Sequence, residues 1–291
     1  AIVAVGDLNG DGDPELVVAQ NQSIGIFNIS GVTSCQTSPQ TLIHSIDNAT
    51  LNSTVMGFQD MVVTDANGDG KNDIVFAYFY REDGGDQYQV IACYINNGEG
   101  NWELSITDHV AYTTSTMVSD LDTQDFNRDE SSDLVVATGH GIGIYMNVTA
   151  PQVHLHDSDS KATSIAVADV DSDGRMDVVA SFEYTDAENY QGIIQWFKVN
   201  SSGNVELSDA NSSPERFIVP TSRYLQPWSV AIGNFTNDTF PDIISTSQTT
   251  LLWHENLGKS ALGHIRDCWD ERDVNNDETM TPESVYCPAG L

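Results

Sequence analysis

Short apolar runs alternate with tight polar turns along nearly the whole chain. Runs such as AIVAV, QDMVVT, SIAVA and WSVAI each lead into a stretch of acid, amide and glycine. A second apolar run follows each stretch at once: ELVVAQ, IVFAYFY, LVVAT, VVASF and IISTS. The leading run of the third unit, MVSDLDTQ, is weaker. A third run then carries an aromatic at a corresponding place, Phe27, Tyr94, Tyr145, Trp196 or Trp253, and a polar turn and a further strand complete the unit, as in NWELSITDHV. That is four short strands per unit, with no helical period anywhere. Repetition at this spacing predicts an array. The expected fold is all-β, a β-propeller of about five or more four-stranded blades over residues 1–260. Its units start near residues 1, 58, 117, 162 and 227. The repeated aromatics are expected to pack between blades.

The polar stretches share one spacing. Their first residues are Asp7, Asp65, Asp125, Asp169 and Asn234. Positions 1, 3, 5, 7 and 9 of such a loop can wrap one hard cation, and Ca²⁺ takes six to eight oxygens. The expected ligands of the first loop are Asp7, Asn9, Asp11, Asp13 and Glu15, and of the second Asp65, Asn67, Asp69, Lys71 and Asp73. Those of the third are Asp125, Asn127, Asp129, Ser131 and Asp133, and of the fourth Asp169, Asp171, Asp173, Arg175 and Asp177. Position 7 is chemically diverse, which fits a backbone carbonyl as its ligand. Gly12, Gly70 and Gly174 occupy position 6, where a sharp turn calls for positive φ, but the third loop has Glu130 there. The fifth loop has Asn234 and Thr236 at positions 1 and 3, and no calcium is expected in it. Without His or Cys in the set, zinc and copper fit poorly.

Charge and sequons then place the chain. Forty-three acidic residues against 11 basic give a net charge of −32, which repels nucleic acid and anionic membrane. Calcium would offset that charge. No apolar run approaches a membrane span, and the chain opens on Ala, which reads as a processed chain. Asn21, Asn28, Asn48, Asn52, Asn147, Asn200, Asn211, Asn234 and Asn237 open N-x-Ser/Thr triplets. Random placement would give roughly four, so a secreted or cell-surface glycoprotein is expected. Cys35, Cys93, Cys268 and Cys287 suit two disulfides, with Cys268–Cys287 the favoured pair.

The units resemble the FG-GAP/VCBS repeat family, the propeller repeats of integrin α-chains and many secreted proteins. The four acidic loops carry the resemblance, and the fifth matches in part. It implies a propeller with calcium in the loop between the first and second strands of a blade. It implies no single activity, because the family spans adhesion receptors, lectins and polysaccharide-degrading enzymes.

No nucleophile elbow, zinc-protease motif or P-loop occurs, and the few basic residues form no cluster for a uronate. His154 and His156 share a strand face and read as strand polarity. The chain is therefore read as a non-enzyme with a structural, adhesive or recognition role toward a protein or glycan ligand. The alternatives are a lectin, with Trp102, Trp228 or Trp269 stacking on sugar, and then a polysaccharide-active enzyme. Residues 261–291 are expected to form a disulfide-bounded segment, a decayed repeat whose DVNNDETMTPES imperfectly matches a calcium loop. Either this segment or a neighbouring molecule is expected to satisfy the last sheet edge, the latter giving a head-to-tail assembly or filament.

Overall fold

The computed structural model describes residues 1–29, 41–45, 53–82, 85–111, 117–148, 152–157, 160–183, 193–200, 202, 205–206, 216–218, 228–236, 238–246, 251–256 and 265–268. Strand is the only regular element among them. The chain divides into two compact units, Ala1–Leu155 and His156–Leu291.

The first unit holds three small sheets. The first contains β1 (Ile2–Gly6), β2 (Glu15–Gln20), β3 (Ser23–Asn28) and β4 (Thr41–Ser45) in chain order. The second repeats that order with β5 (Ser53–Thr64), β6 (Asp73–Glu82), β7 (Gln87–Gly98) and β8 (Asn101–Ala111). The third does so with β9 (Val118–Gln124), β10 (Asp133–Thr138), β11 (Gly141–Met146) and β12 (Gln152–Asp157). Each acidic loop joins the first strand of its sheet to the second.

Side chains alternate faces along a strand, and β6 uses both faces. Ile74, Phe76, Tyr78 and Tyr80 join Val17, Ile24 and Ile26 of the first sheet in one core cluster. Val75 and Ala77 join Leu121, Leu134 and Val136 of the third sheet in another. A strand covered on both faces has no polar side, which explains the unbroken apolar run IVFAYFY. Tyr94 and Tyr145 of the repeated aromatics sit in these layers. Tyr94 stacks on Phe76 with centroids 5.3 Å apart, and the buried Tyr145 hydroxyl donates to Asp108 Oδ2 at 2.7 Å. First strands lie side by side, β1 against β5 and β5 against β9. The approach is close. A Cβ added at Gly6 would stand 2.4 Å from Val63 Cγ1.

The second unit holds two sheets. One contains β13 (Lys161–Ala168), β14 (Asp177–Glu183), β15 (Ile193–Val199) and β16 (Val205–Glu206), with β17 (Arg216–Ile218) also paired to β15. The other contains β18 (Ser229–Gly233), β19 (Asp242–Thr246), β20 (Leu251–Asn256) and β21 (Ile265–Cys268). Here too the first strands meet, β13 against β18, over a core of Val170, Val179, Ile194, Val230 and Ile243. β21 falls in the segment expected to form a separate tail, yet it is the fourth strand of its sheet.

One cysteine departs from expectation. Cys93 is a free thiol, fully buried in β7 beside Val75, Ala77 and Ile91, and forms no disulfide. Burial, helped by the nearby Asp73 charge, pushes its pKa well above the usual thiol range, so it behaves as a small core hydrophobe. Cys35 and Cys287 lie outside the described residues, and Cys268 is described in its backbone alone.

Candidate metal-binding loops

The first four loops fold by one scheme, shared in part by the fifth, in which short acidic side chains hold their own backbone. The position-1 carboxylate accepts the N–H of position 6. Gly12 donates to Asp7 at 2.8 Å, Gly70 to Asp65 at 2.8 Å, Glu130 to Asp125 at 3.0 Å and Gly174 to Asp169 at 2.8 Å. The position-3 side chain accepts the N–H of position 5, as Asn9 does from Asp11, Asn67 from Asp69, Asn127 from Asp129 and Asp171 from Asp173. Position 5 accepts from position 7 in all five loops, with Asp13, Lys71, Ser131, Arg175 and Phe240 donating.

To wrap this tightly the chain turns left-handed twice. Position 6 has φ of +89° at Gly12, +81° at Gly70, +72° at Glu130 and +84° at Gly174. Position 4 does the same, and there only Gly10 and Gly68 are glycines. Arg128 sits at +63° and Ser172 at +56°.

Position 9 anchors each loop to its sheet. Glu15, Asp73, Asp133, Asp177 and Asp242 are all buried. Each accepts the N–H of position 2: Leu8 at 2.9 Å, Ala66 at 2.9 Å, Phe126 at 2.9 Å, Val170 at 3.1 Å and Phe235 at 3.0 Å. The other oxygen of Asp73, Asp133 and Asp242 accepts the backbone N–H of Asn96, Asn147 and Asn256 respectively, each in or just past the third strand. Burial, with the charges of Asp69 and Asp65 behind it, raises the Asp73 pKa. Burial likewise raises that of Asp133. Burial and then Asp171 push Asp177 up to about 7. Asp7 goes the other way, chiefly because the Gly12 N–H favours its charged form.

Within each unit the loops are laced to the next sheet. In the first unit Asn72 Nδ2 donates to the Asp7 carbonyl at 2.8 Å, and the Ser132 N–H donates to the Asp65 carbonyl at 3.0 Å. Asn96 Nδ2 bridges the Leu8 and Asn72 carbonyls at 2.8 and 3.1 Å. In the second unit Asn256 Nδ2 repeats that bridge to Val170 and Pro241 at 2.7 and 3.1 Å. Sequence reading missed these asparagines. Their signal is an amide two or three residues beyond the repeated aromatic, in CYINNG and LWHEN.

Oxygen donors at positions 1, 3, 5 and 9 are what a hard divalent cation needs. In the fourth loop, one oxygen from each of Asp169, Asp171 and Asp177 lies within 4.8 Å of the others. The same loop carries a cation of its own. Lys198 Nζ ion-pairs with Asp171 and stands 3.6 Å from Asp173. The fifth loop differs again. Asn234 Nδ2 donates to the Asp238 carbonyl, and the Thr236 hydroxyl donates to Asp242 at 3.2 Å, so a neutral donor replaces the position-1 carboxylate and a hydroxyl replaces the position-3 amide or carboxylate.

The remaining site residues scatter. Asn21 is exposed in the β2–β3 turn, and Asn234 is exposed in the fifth loop. Asn28, Asn147 and Asn200 are half-buried. Asn48, Asn52, Asn211, Asn237 and Trp269 lie outside the described residues, as does the acidic stretch after Cys268. The side chains of His154 and His156 are likewise not described. Ser245 Oγ and His254 Nε2 stand 3.1 Å apart, but both side chains are buried and offer a substrate no access.

An FG-GAP-like repeat model matches residues 65–136 and 125–180, and an FG-GAP repeat model matches residues 1–28. No curated protein matches the chain. Among solved structures, an Agrocybe aegerita lectin that recognises non-reducing terminal N-acetylglucosamine matches at 15% identity with a TM-score of 0.42. That match covers 91% of this chain and 79% of the lectin chain.

Proposed function

Because the chain carries FG-GAP repeats over residues 1–28 and 65–180, we propose that it is a non-catalytic, calcium-stabilised β-propeller glycoprotein serving extracellular recognition or adhesion. The observation that carries this reading is the common scheme of the first four loops. Each gathers carboxylates on a turn that joins two strands, and each anchors that turn through a buried acid at position 9. Such a loop concentrates negative charge in a chain that already carries −32. A bound Ca²⁺ would offset the charge, fix the loop and so fix the sheet that it begins. The residues that would hold it are Asp7, Asn9, Asp11 and Glu15, with their counterparts in the next three loops, and the position-7 carbonyl in each. The binding surface would then be presented by rigid sheets rather than by moving parts.

The repeat itself supports a binding role. The nine sequons support an extracellular setting. Isothermal titration of chelator-treated protein with CaCl₂ tests the reading, together with enzymatic deglycosylation of the native protein. The reading predicts saturable calcium binding at several sites and a mass loss on deglycosylation. Absence of calcium binding would remove its basis.

A further inference from the structure

A cavity of about 590 Å³ opens in the first unit between the first acidic loop and the β7–β8 turn. Clefts of this size hold small organic ligands. Leu8 and Ile26 give it an apolar floor, and Trp102 forms one wall. Trp102 is half-buried and packs against the core shared by the first two sheets, which fixes the indole in place. Its Nε1–H has no hydrogen-bond partner, an unspent donor at the edge of a rigid aromatic face. The turn beside it, Gly98-Glu99-Gly100, holds Glu99 at φ +52° and leaves its exposed carboxylate without a partner. A Cβ at Gly100 would meet nothing within 4 Å, so the rim is open.

The lining selects a ligand class. Lys71 is the one cation in the cavity, and Asp69 holds its ammonium at 2.9 Å. No free positive charge lines the cavity, and its one exposed carboxylate outside the acidic loops is that of Glu99, so phosphates, uronates and sialic acids are disfavoured. An entirely apolar ligand would strand the Glu99 carboxylate and the indole N–H. What fits is a neutral ring with one C–H face to lie on the indole and hydroxyls at its edge for the carboxylate and the N–H. Resting on the recognition role proposed above, we infer that this cavity binds a neutral pyranose residue, stacked on Trp102 and hydrogen-bonded by Glu99.

The test titrates the full chain, in calcium buffer, with methyl glycosides of neutral hexoses and N-acetylhexosamines, using a glucuronide as the anionic comparator. Saturation-transfer NMR and tryptophan fluorescence report binding. At least one neutral glycoside should bind, and the glucuronide should not. Trp102→Ala should weaken binding by more than roughly tenfold, because it removes the stacking face. Trp102→Phe should keep most of the affinity, and Glu99→Ala should lose several-fold at an unchanged melting temperature. Those two variants decide the matter if Trp102→Ala fails to fold. Absence of binding by every neutral glycoside would overturn the inference, as would affinity unchanged in Trp102→Ala or in Glu99→Ala, or stronger binding of the glucuronide. Calcium titration of the same samples separates the two ideas. Calcium binding without sugar binding sinks this inference alone, whereas loss of both sinks the recognition reading.

Discussion

Exchanging residues at position 6 of the second and third loops isolates the energy of the left-handed turn. Gly70 sits at φ +81°, and a Cβ there would meet nothing within 4 Å. Gly70→Ala therefore adds no clash, and its whole cost is conformational. A left-handed conformation costs an L-residue about 1–2 kcal/mol. Glu130 already bears that cost at φ +72° in the same turn of the next loop. Glu130→Gly relieves it but frees the unfolded chain, which returns about 0.5–1 kcal/mol. The net expectation is a loss of about 1–2 kcal/mol for Gly70→Ala and a gain of up to about 1 kcal/mol for Glu130→Gly. Glu130→Gln controls for the lost charge. Urea midpoints at constant m-value measure all three in the same buffer. Stabilisation by Glu130→Gln equal to that of Glu130→Gly would mean that charge, not backbone strain, governs the site. A neutral Gly70→Ala would refute the shared turn geometry outright.

Other predictions follow from the same contacts. Burial, and then the hydrogen bond and charge of Asp120, push the Asp60 pKa up to about 7, so its stabilising contribution is whole below about pH 4 and is lost as pH rises toward 7. Asp60→Asn should flatten that window and stabilise the protein at neutral pH by at most about 4 kcal/mol, read from melts between pH 4 and 8; parallel pH profiles would contradict it. Asn96→Ala leaves the Leu8 and Asn72 carbonyls without their amide donor, and should cost about 1–3 kcal/mol by urea denaturation, with a neutral result refuting the inter-sheet bridge. Lys198→Met removes the ammonium beside Asp171 and Asp173, and should lower the melting temperature in chelator while making the protein more responsive to added calcium; an unaltered calcium response would show that Lys198 does not compete for that loop.

The parts of this molecule that speak in the sequence are those where chemistry repeats at fixed spacing. Asp7, Asp65, Asp125 and Asp169 announce their loops because an Asx side chain folding its own backbone leaves a local mark. The position-9 acids are visible for the same reason, but not their burial, which depends on how each strand sits in its sheet. Asn96 and Asn256 were missed because their carbonyl partners, Leu8 and Val170, lie 88 and 86 residues away. Position 4 hid because Arg128 and Ser172 adopt a conformation that local propensity assigns to glycine. Cys93 misled because a cysteine count carries no burial, and its neighbours in β7 are core residues. β21 was read as tail because its sequence, IRDC, has no apolar alternation, and the backbone ladder to β20 supplies its order.

Scanning calorimetry of the full chain in EDTA, and again with excess CaCl₂, measures how much of the fold's stability rests on calcium in the acidic loops. At a free concentration 100-fold above Kd each occupied loop adds about 2.7 kcal/mol, so several loops together should raise the melting temperature by well over 10 °C. Superimposable melts in EDTA and calcium would contradict the account, leaving the acidic loops as turns held by their own hydrogen bonds.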